Sequence, residues 1–174
     1  LKEALERFER SQGVGIILDL RNNPGGLVSS VVDVTSQFIE DGLVLYQVDA
    51  KGNRRNWGVK SGGKALDIPM VVLVNEFSAS ASEVFTGAII DNDRATVIGT
   101  TTFGKGSVTN LWPLVDGSGV NFTTARWFTP NGLLIEGAGI TPDVILDPVD
   151  EEEEEDVHLD RAIEILMEEI GLGT

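Results

Sequence analysis

Residues Pro69 to Ser107, PMVVLVNEFSASASEVFTGAIIDNDRATVIGTTTFGKGS, read as strand, small-residue turn, helix, second strand and a lysine set between glycines. Met70-Val71-Val72-Leu73-Val74 is a continuous apolar run, the pattern of a strand buried on both faces, and it stops at Asn75-Glu76. Val84, Phe85, Ala88 and Ile89 then recur at helical spacing after Ser78-Ala79-Ser80-Ala81-Ser82. A strand that turns sharply into a helix exposes the side chain at the turn. It also sets unpaired helix N–H groups beside that side chain, where they can hold developing negative charge. The turn is therefore a suitable place for a nucleophile.

Upstream, Lys2 to Arg10 carries Leu5 and Phe8 at helical spacing, and Gly15-Ile16-Ile17-Leu18-Asp19-Leu20 is a second strand of the buried, parallel type. The loop Arg21-Asn22-Asn23-Pro24-Gly25-Gly26 follows, then a helix from Leu27 to about Glu40. Two strands, Leu43 to Val48 and Arg54 to Val59, flank the turn Lys51-Gly52-Asn53. Downstream, strands at Ser107 to Leu114 and Gly119 to Thr124 are joined at Asp116-Gly117-Ser118, and the β region continues through Trp127-Phe128. Asp150 to Asp156 is an acidic run read as a solvated linker, and Leu159, Ile163, Leu166, Met167 and Ile170 give a closing helix. Alternating strands and helices early and antiparallel-type strands late predict an α/β fold, a mixed β-sheet with flanking helices. The division expected is a core over residues 1–149 and an acidic linker with C-terminal helix over 150–174.

Composition narrows the chemistry. The 174 residues carry a net charge of −15, which disfavours nucleic-acid binding, since phosphate contacts need clustered cations. No stretch is long and apolar enough to span a bilayer, and the chain starts without Met, as a mature or excised form does. Absence of cysteine removes disulfides and thiolate catalysis, and the single histidine, His158, excludes a multi-His metal centre within one chain. His158 lies beside the acidic run and reads as a surface residue, so a serine nucleophile here needs another base. Lysine serves when burial lowers its pKa from about 10.4 toward neutrality, a change worth about 4 kcal/mol. Lys105, flanked by Phe103, Gly104 and Gly106 with no acidic neighbour in sequence, suits that role.

Two other readings compete. Gly99 to Lys105 matches the start of a phosphate-binding G-x-x-x-x-G-K-[ST] loop, but Gly106 stands where the motif needs Ser or Thr, and a strand follows where a helix should. Ser80-Ala81-Ser82-Glu83 fits a capping box in which Ser80 caps the helix and Glu83 reaches back, and by local spacing alone this accounts for the serine without chemistry.

Five segments taken together, LDLRNNPGG (Leu18–Gly26), VNEFSASASE (Val74–Glu83), GTTTFGKGSV (Gly99–Val108), TTARWFTPNG (Thr123–Gly132) and GITPDV (Gly139–Val144), closely resemble the carboxyl-terminal processing proteases. These are the tail-specific serine proteases of peptidase family S41. The resemblance implies a ClpP/crotonase-like core in which Ser80 is the nucleophile, Lys105 the general base, and Glu83 a residue supporting the dyad. It places oxyanion donors at the backbone N–H groups of Gly26 and Ala81, and it implies neither metal nor cofactor. It further implies protein or peptide substrates with accessible C-termini, a PDZ domain in the full-length protein, and a periplasmic, cell-envelope or thylakoid-lumen location. Two residues depart from the family pattern: Thr109 stands where Gln is frequent, and Phe77 where glycine is usual. The other class of function compatible with these departures is a non-catalytic peptide-binding or assembly module that keeps the protease fold.

Overall fold

A computed structural model describes residues 1–148 and 155–172, so residues 150–154 of the acidic run lie outside the described residues. In chain order the elements are α1 (Lys2–Arg10), β1 (Ile16–Asp19), α2 (Val28–Thr35), β2 (Leu43–Asp49), β3 (Arg54–Gly58), β4 (Met70–Val74), α3 (Ala81–Asp91), β5 (Thr96–Gly99), β6 (Ser107–Pro113), β7 (Gly119–Phe128), β8 (Val144–Ile145) and α4 (Val157–Glu169). The α/β class holds. The mixture is partitioned, however, into an all-parallel sheet of order β1-β4-β5-β8 and an all-antiparallel sheet of order β3-β2-β7-β6.

β4 lies between β1 and β5, and all five of its residues are buried. Its alternate side chains face two separate cores. Met70, Val72 and Val74 pack with Val84, Phe85, Ala88 and Ile89 of α3, while Val71 and Leu73 pack with Ala162, Ile165 and Leu166 of α4. A parallel strand must be covered on both sides, and the C-terminal helix supplies the second cover. Helix α2 is shorter than its apolar pattern suggests, since turns replace the helix after Thr35, but Phe38 still reaches the core and meets Phe85 edge to face at 5.8 Å.

The parallel arrangement decides where the loops go. Asp19 is in register with Leu73 and Val74 with Gly99, so β1, β4 and β5 end together. The loops after them, Leu20–Gly26, Asn75–Ser80 and Thr100–Gly106, therefore all leave the same edge of the sheet. Ligand sites of open parallel sheets form at such carboxyl edges. No helix among the described residues is long and apolar enough to cross a membrane.

Candidate active site

Ser80 is the N-cap of α3 and adopts φ 59°, ψ −115°, a region that residues other than glycine seldom occupy. Such strain persists only where the surroundings hold it, and they do so here at several points. The Asn75 N–H donates to Ser78 Oγ at 2.9 Å, and that hydroxyl donates to the Leu20 carbonyl at 2.8 Å. The Asn23 carbonyl accepts both the Ala79 N–H and the Ser82 hydroxyl at 3.0 Å. Gly25, at φ 88°, presses against the turn so closely that a Cβ there would sit 2.5 Å from Ala79 O and 2.6 Å from Ala81 N. Only glycine fits that approach.

Glu83 joins the serine turn to the lysine loop. Its side chain is fully buried. Oε2 accepts the Ser80 and Lys105 N–H groups, both at 2.8 Å, while Oε1 accepts the Gly104 N–H at 2.6 Å and the Thr102 hydroxyl at 2.7 Å. Two backbone nitrogens that share one oxygen lie no farther apart than twice that distance, so the serine and the lysine emerge from adjacent backbone. The capping reading and the active-site reading thus describe one arrangement, because the carboxylate that reaches back to Ser80 also holds the loop of Lys105. Sequence spacing finds Glu83 as a capping residue but not its other three donors, which are separated from it by about twenty residues.

The remaining sequence motifs brace this centre. The Thr102 hydroxyl accepts the Ile140 N–H at 2.8 Å, Gly106 N–H donates to Glu136 Oε2 at 2.8 Å, and the Gly106 carbonyl accepts the Trp127 N–H at 2.7 Å. Thr102, Asn23 and Glu136 are contributors that no local pattern announces, since their roles depend on partners from other segments.

Lys105 differs from expectation. Its side chain is exposed, and it has no ion-pair partner among the described residues. Thr109 is exposed on β6 and makes no hydrogen bond to Lys105, and Phe77 is exposed in the turn before Ser80. His158 also departs from its reading: it is buried, with Nε2 2.7 Å from the Asp147 carbonyl. It stands in the first turn of α4 and lines a cavity with Asp19, Arg21 and Asn75.

Gly26 is exposed and Ala81 opens α3, and neither N–H has a hydrogen-bond partner among the described residues. Both border a cavity of about 370 Å³ walled by Leu18, Leu20, Leu27, Val31, Val34 and Phe85.

Behind the Gly26 loop stands Arg21, whose Nη1 and Nη2 each donate to the N-cap carboxylate of α4, Asp156, at 2.7 Å; it also pairs with Asp19. The bond to Arg21 is the chief cause that holds the Asp156 carboxyl down at about 2, and the two carboxylates raise Arg21 above its ordinary value. A depressed carboxyl pKa contributes stability above its unfolded value of about 3.9 and loses it as pH falls toward the folded value. Asp156→Asn preserves the capping geometry. Because the pair is partly solvated, it should lower stability at pH 7 by only about 1 kcal/mol. Urea unfolding of the two proteins should show this difference shrinking between pH 4 and about 2; a difference constant with pH would mean the ion pair is not its source.

The model of peptidase family S41 matches residues 1–146. A carboxyl-terminal-processing protease of Synechocystis is 42% identical over 144 residues, covering 83% of this chain and 34% of the relative. A carboxy-terminal-processing protease of Bartonella bacilliformis is 40% identical over 151 residues, covering 84% and 34%. Among solved structures, the photosystem II D1 C-terminal processing protease superposes with a TM-score of 0.78 at 40% identity, over 84% of this chain and 38% of that one. The chain thus spans about a third of the length of these curated relatives. With the family model matching from Leu1 through the last strand of the parallel sheet, the chain belongs to peptidase family S41.

Proposed function

We propose that this chain is the catalytic core, over residues 1–149, of a serine endopeptidase that cleaves proteins near their C-termini. The observation that carries the reading is the pair of amides, of Ser80 and Lys105, on one oxygen of buried Glu83. Ser80 attacks the scissile carbonyl, Lys105 in its neutral form takes the hydroxyl proton and later delivers it to the leaving amine, and the N–H groups of Gly26 and Ala81 hold the oxyanion. The apolar chamber beside them receives the side chain preceding the scissile bond. Because Lys105 is exposed, bound substrate has to cover it and supply the desolvation that favours the neutral amine. The same proposal includes substrates with accessible C-termini, capture of those termini by a PDZ domain in the full-length protein, and a periplasmic, envelope or thylakoid-lumen setting.

A serine-directed fluorophosphonate tests this reading. Labelling of the chain should map to Ser80, rise with pH, and disappear in Lys105→Ala without loss of the fold. Exposed Lys105 and the threonine at 109 favour a second reading, a peptide-binding module that keeps the fold without turnover. That reading predicts no labelling of Ser80 at any pH, in this chain or within its longer relatives' architecture.

A further inference from the structure

The cavity that His158 borders has a volume of about 280 Å³, and the proposed chemistry leaves it unused. Its wall takes Asp19 from the end of β1, Asn75, Glu76 and Phe77 from the loop after β4, and Thr100 from the loop after β5. It therefore lies on the carboxyl edge, where parallel sheets hold ligands. Asn22 borders this cavity and Asn23 borders the apolar chamber, so the two are neighbours across one loop.

The charges around this cavity do not balance. Asp19 and Asp156 share Arg21, so with Glu76 three carboxylates stand against one guanidinium. Glu76 is exposed and has no ion-pair partner among the described residues; the Thr100 hydroxyl donates to its Oε2 at 2.9 Å. His158 adds an acceptor. Its Nε2 lies 2.7 Å from the Asp147 carbonyl, which can only accept, so in the neutral ring Nε2 carries the hydrogen and Nδ1 accepts. That Nδ1 is buried without a partner. Phe77, 59% exposed, supplies an aromatic wall that the glycine usual at this position in the family does not. Surplus carboxylate, an unspent acceptor and an aromatic ring together suit a cation that carries N–H donors. Among the described residues no group of His, Asp and Glu side chains could hold a metal ion, so the cation that fits is an organic one.

We infer that this cavity takes a basic side chain of the polypeptide substrate, arginine before lysine, with its charge against the Glu76 carboxylate and the Phe77 ring. The inference rests on the proteolytic reading above and adds a preference in substrate sequence, an apolar residue in the chamber with an arginine close to it. Arginine is favoured because its planar group pairs with a carboxylate through two N–H donors and stacks on a ring, which a lysine ammonium matches less well. Phe77 precedes Ser80 by three residues, at most about 11 Å of chain. Extended substrate advances about 3.3 Å per residue, so the arginine falls within about three residues of the scissile bond.

The test titrates N-acetylargininamide into the Ser80→Ala form of this chain, with N-acetylcitrullinamide, of the same shape without the charge, as control. His158 is the single histidine, so its imidazole gives one set of NMR signals at the cavity wall. Those signals and the amides of Phe77 and Thr100 should shift with the arginine derivative and hardly at all with the citrulline one. Glu76→Gln, on an exposed site, should weaken arginine binding about tenfold with the melting temperature unaltered, and Phe77→Ala about threefold. A second series walks one arginine, a position at a time, along a ten-residue Ser/Ala peptide with a fixed leucine. One position should bind about tenfold tighter than its citrulline counterpart, and Glu76→Gln should remove that advantage. Equal responses to arginine and citrulline, or an arginine preference that survives Glu76→Gln, would each overturn the inference. So would a preference that ignores where the arginine stands, since the cavity would then take any free cation and not a substrate residue. Fluorophosphonate labelling of the unsubstituted chain is read separately. A Glu76-dependent arginine preference without labelling keeps the cavity assigned and sinks the Ser-Lys chemistry, whereas labelling of Ser80 without that preference does the reverse.

Discussion

Glu83→Ala should destabilise the protein by about 3–4 kcal/mol, because it removes the acceptor of four donors, two of them buried and two half-buried. Those donors are the N–H groups of Ser80, Gly104 and Lys105 and the hydroxyl of Thr102. The loss is a large share of the roughly 5–15 kcal/mol typical of a domain, so part of the variant should be recovered unfolded, and Glu83→Gln gives the cleaner comparison. A glutamine of the same shape can satisfy the donors at one oxygen, but its amide hydrogens then confront the two at the other, at a cost of about 2–3 kcal/mol. Urea denaturation measures the stability of both, and fluorophosphonate labelling of the folded fraction measures whether Ser80 keeps its reactivity. Labelling should be lost in both variants, since the carboxylate fixes the backbone from which serine and lysine both project. Unchanged stability and labelling in Glu83→Gln would remove Glu83 from this role.

Ser80 carries the second large effect, and its sign differs between stability and activity. On the proposed chemistry, replacing the serine by alanine or glycine should abolish labelling and reduce any peptide cleavage on the order of a thousandfold or more. The two replacements should not be equally stable. At φ 59°, ψ −115° the backbone is strained by about 1–3 kcal/mol for a residue with a Cβ, whereas glycine occupies this region freely. Glycine gives back about 0.5–1 kcal/mol through the greater freedom of its unfolded chain. Ser80→Gly should therefore exceed Ser80→Ala in stability by about 1 kcal/mol in urea unfolding. Equal stabilities would mean that the turn relaxes when the serine is removed, and that the strain belongs to the side chain's own contacts.

These two residues also show how the site is assembled. Local sequence places Ser80 at a strand-to-helix turn and Glu83 one helical turn later, and both positions follow from the break in apolar periodicity after Val74. What it does not convey is that Glu83 also binds Thr102, Gly104 and Lys105. That convergence arises because β4 and β5 are parallel neighbours, so the loop after each leaves the same edge.

The sequence alone determined the element types, because continuous apolar runs, helical spacing and Gly-containing turns act over a few residues. It determined the α/β class, and five separated motifs carried the family. It also named the serine, the lysine and the glycine loop as one set. Tertiary structure decided everything that depends on two distant segments meeting. It divided the strands into one parallel and one antiparallel sheet, and it set the C-terminal helix on the far face of β4, where Ala162 and Leu166 complete a second core. It buried His158 in the first turn of that helix and left Lys105 exposed. Burial is a property of what packs above a residue, and a neighbouring Phe103 or Gly104 in the sequence does not fix what lies above Lys105 in space.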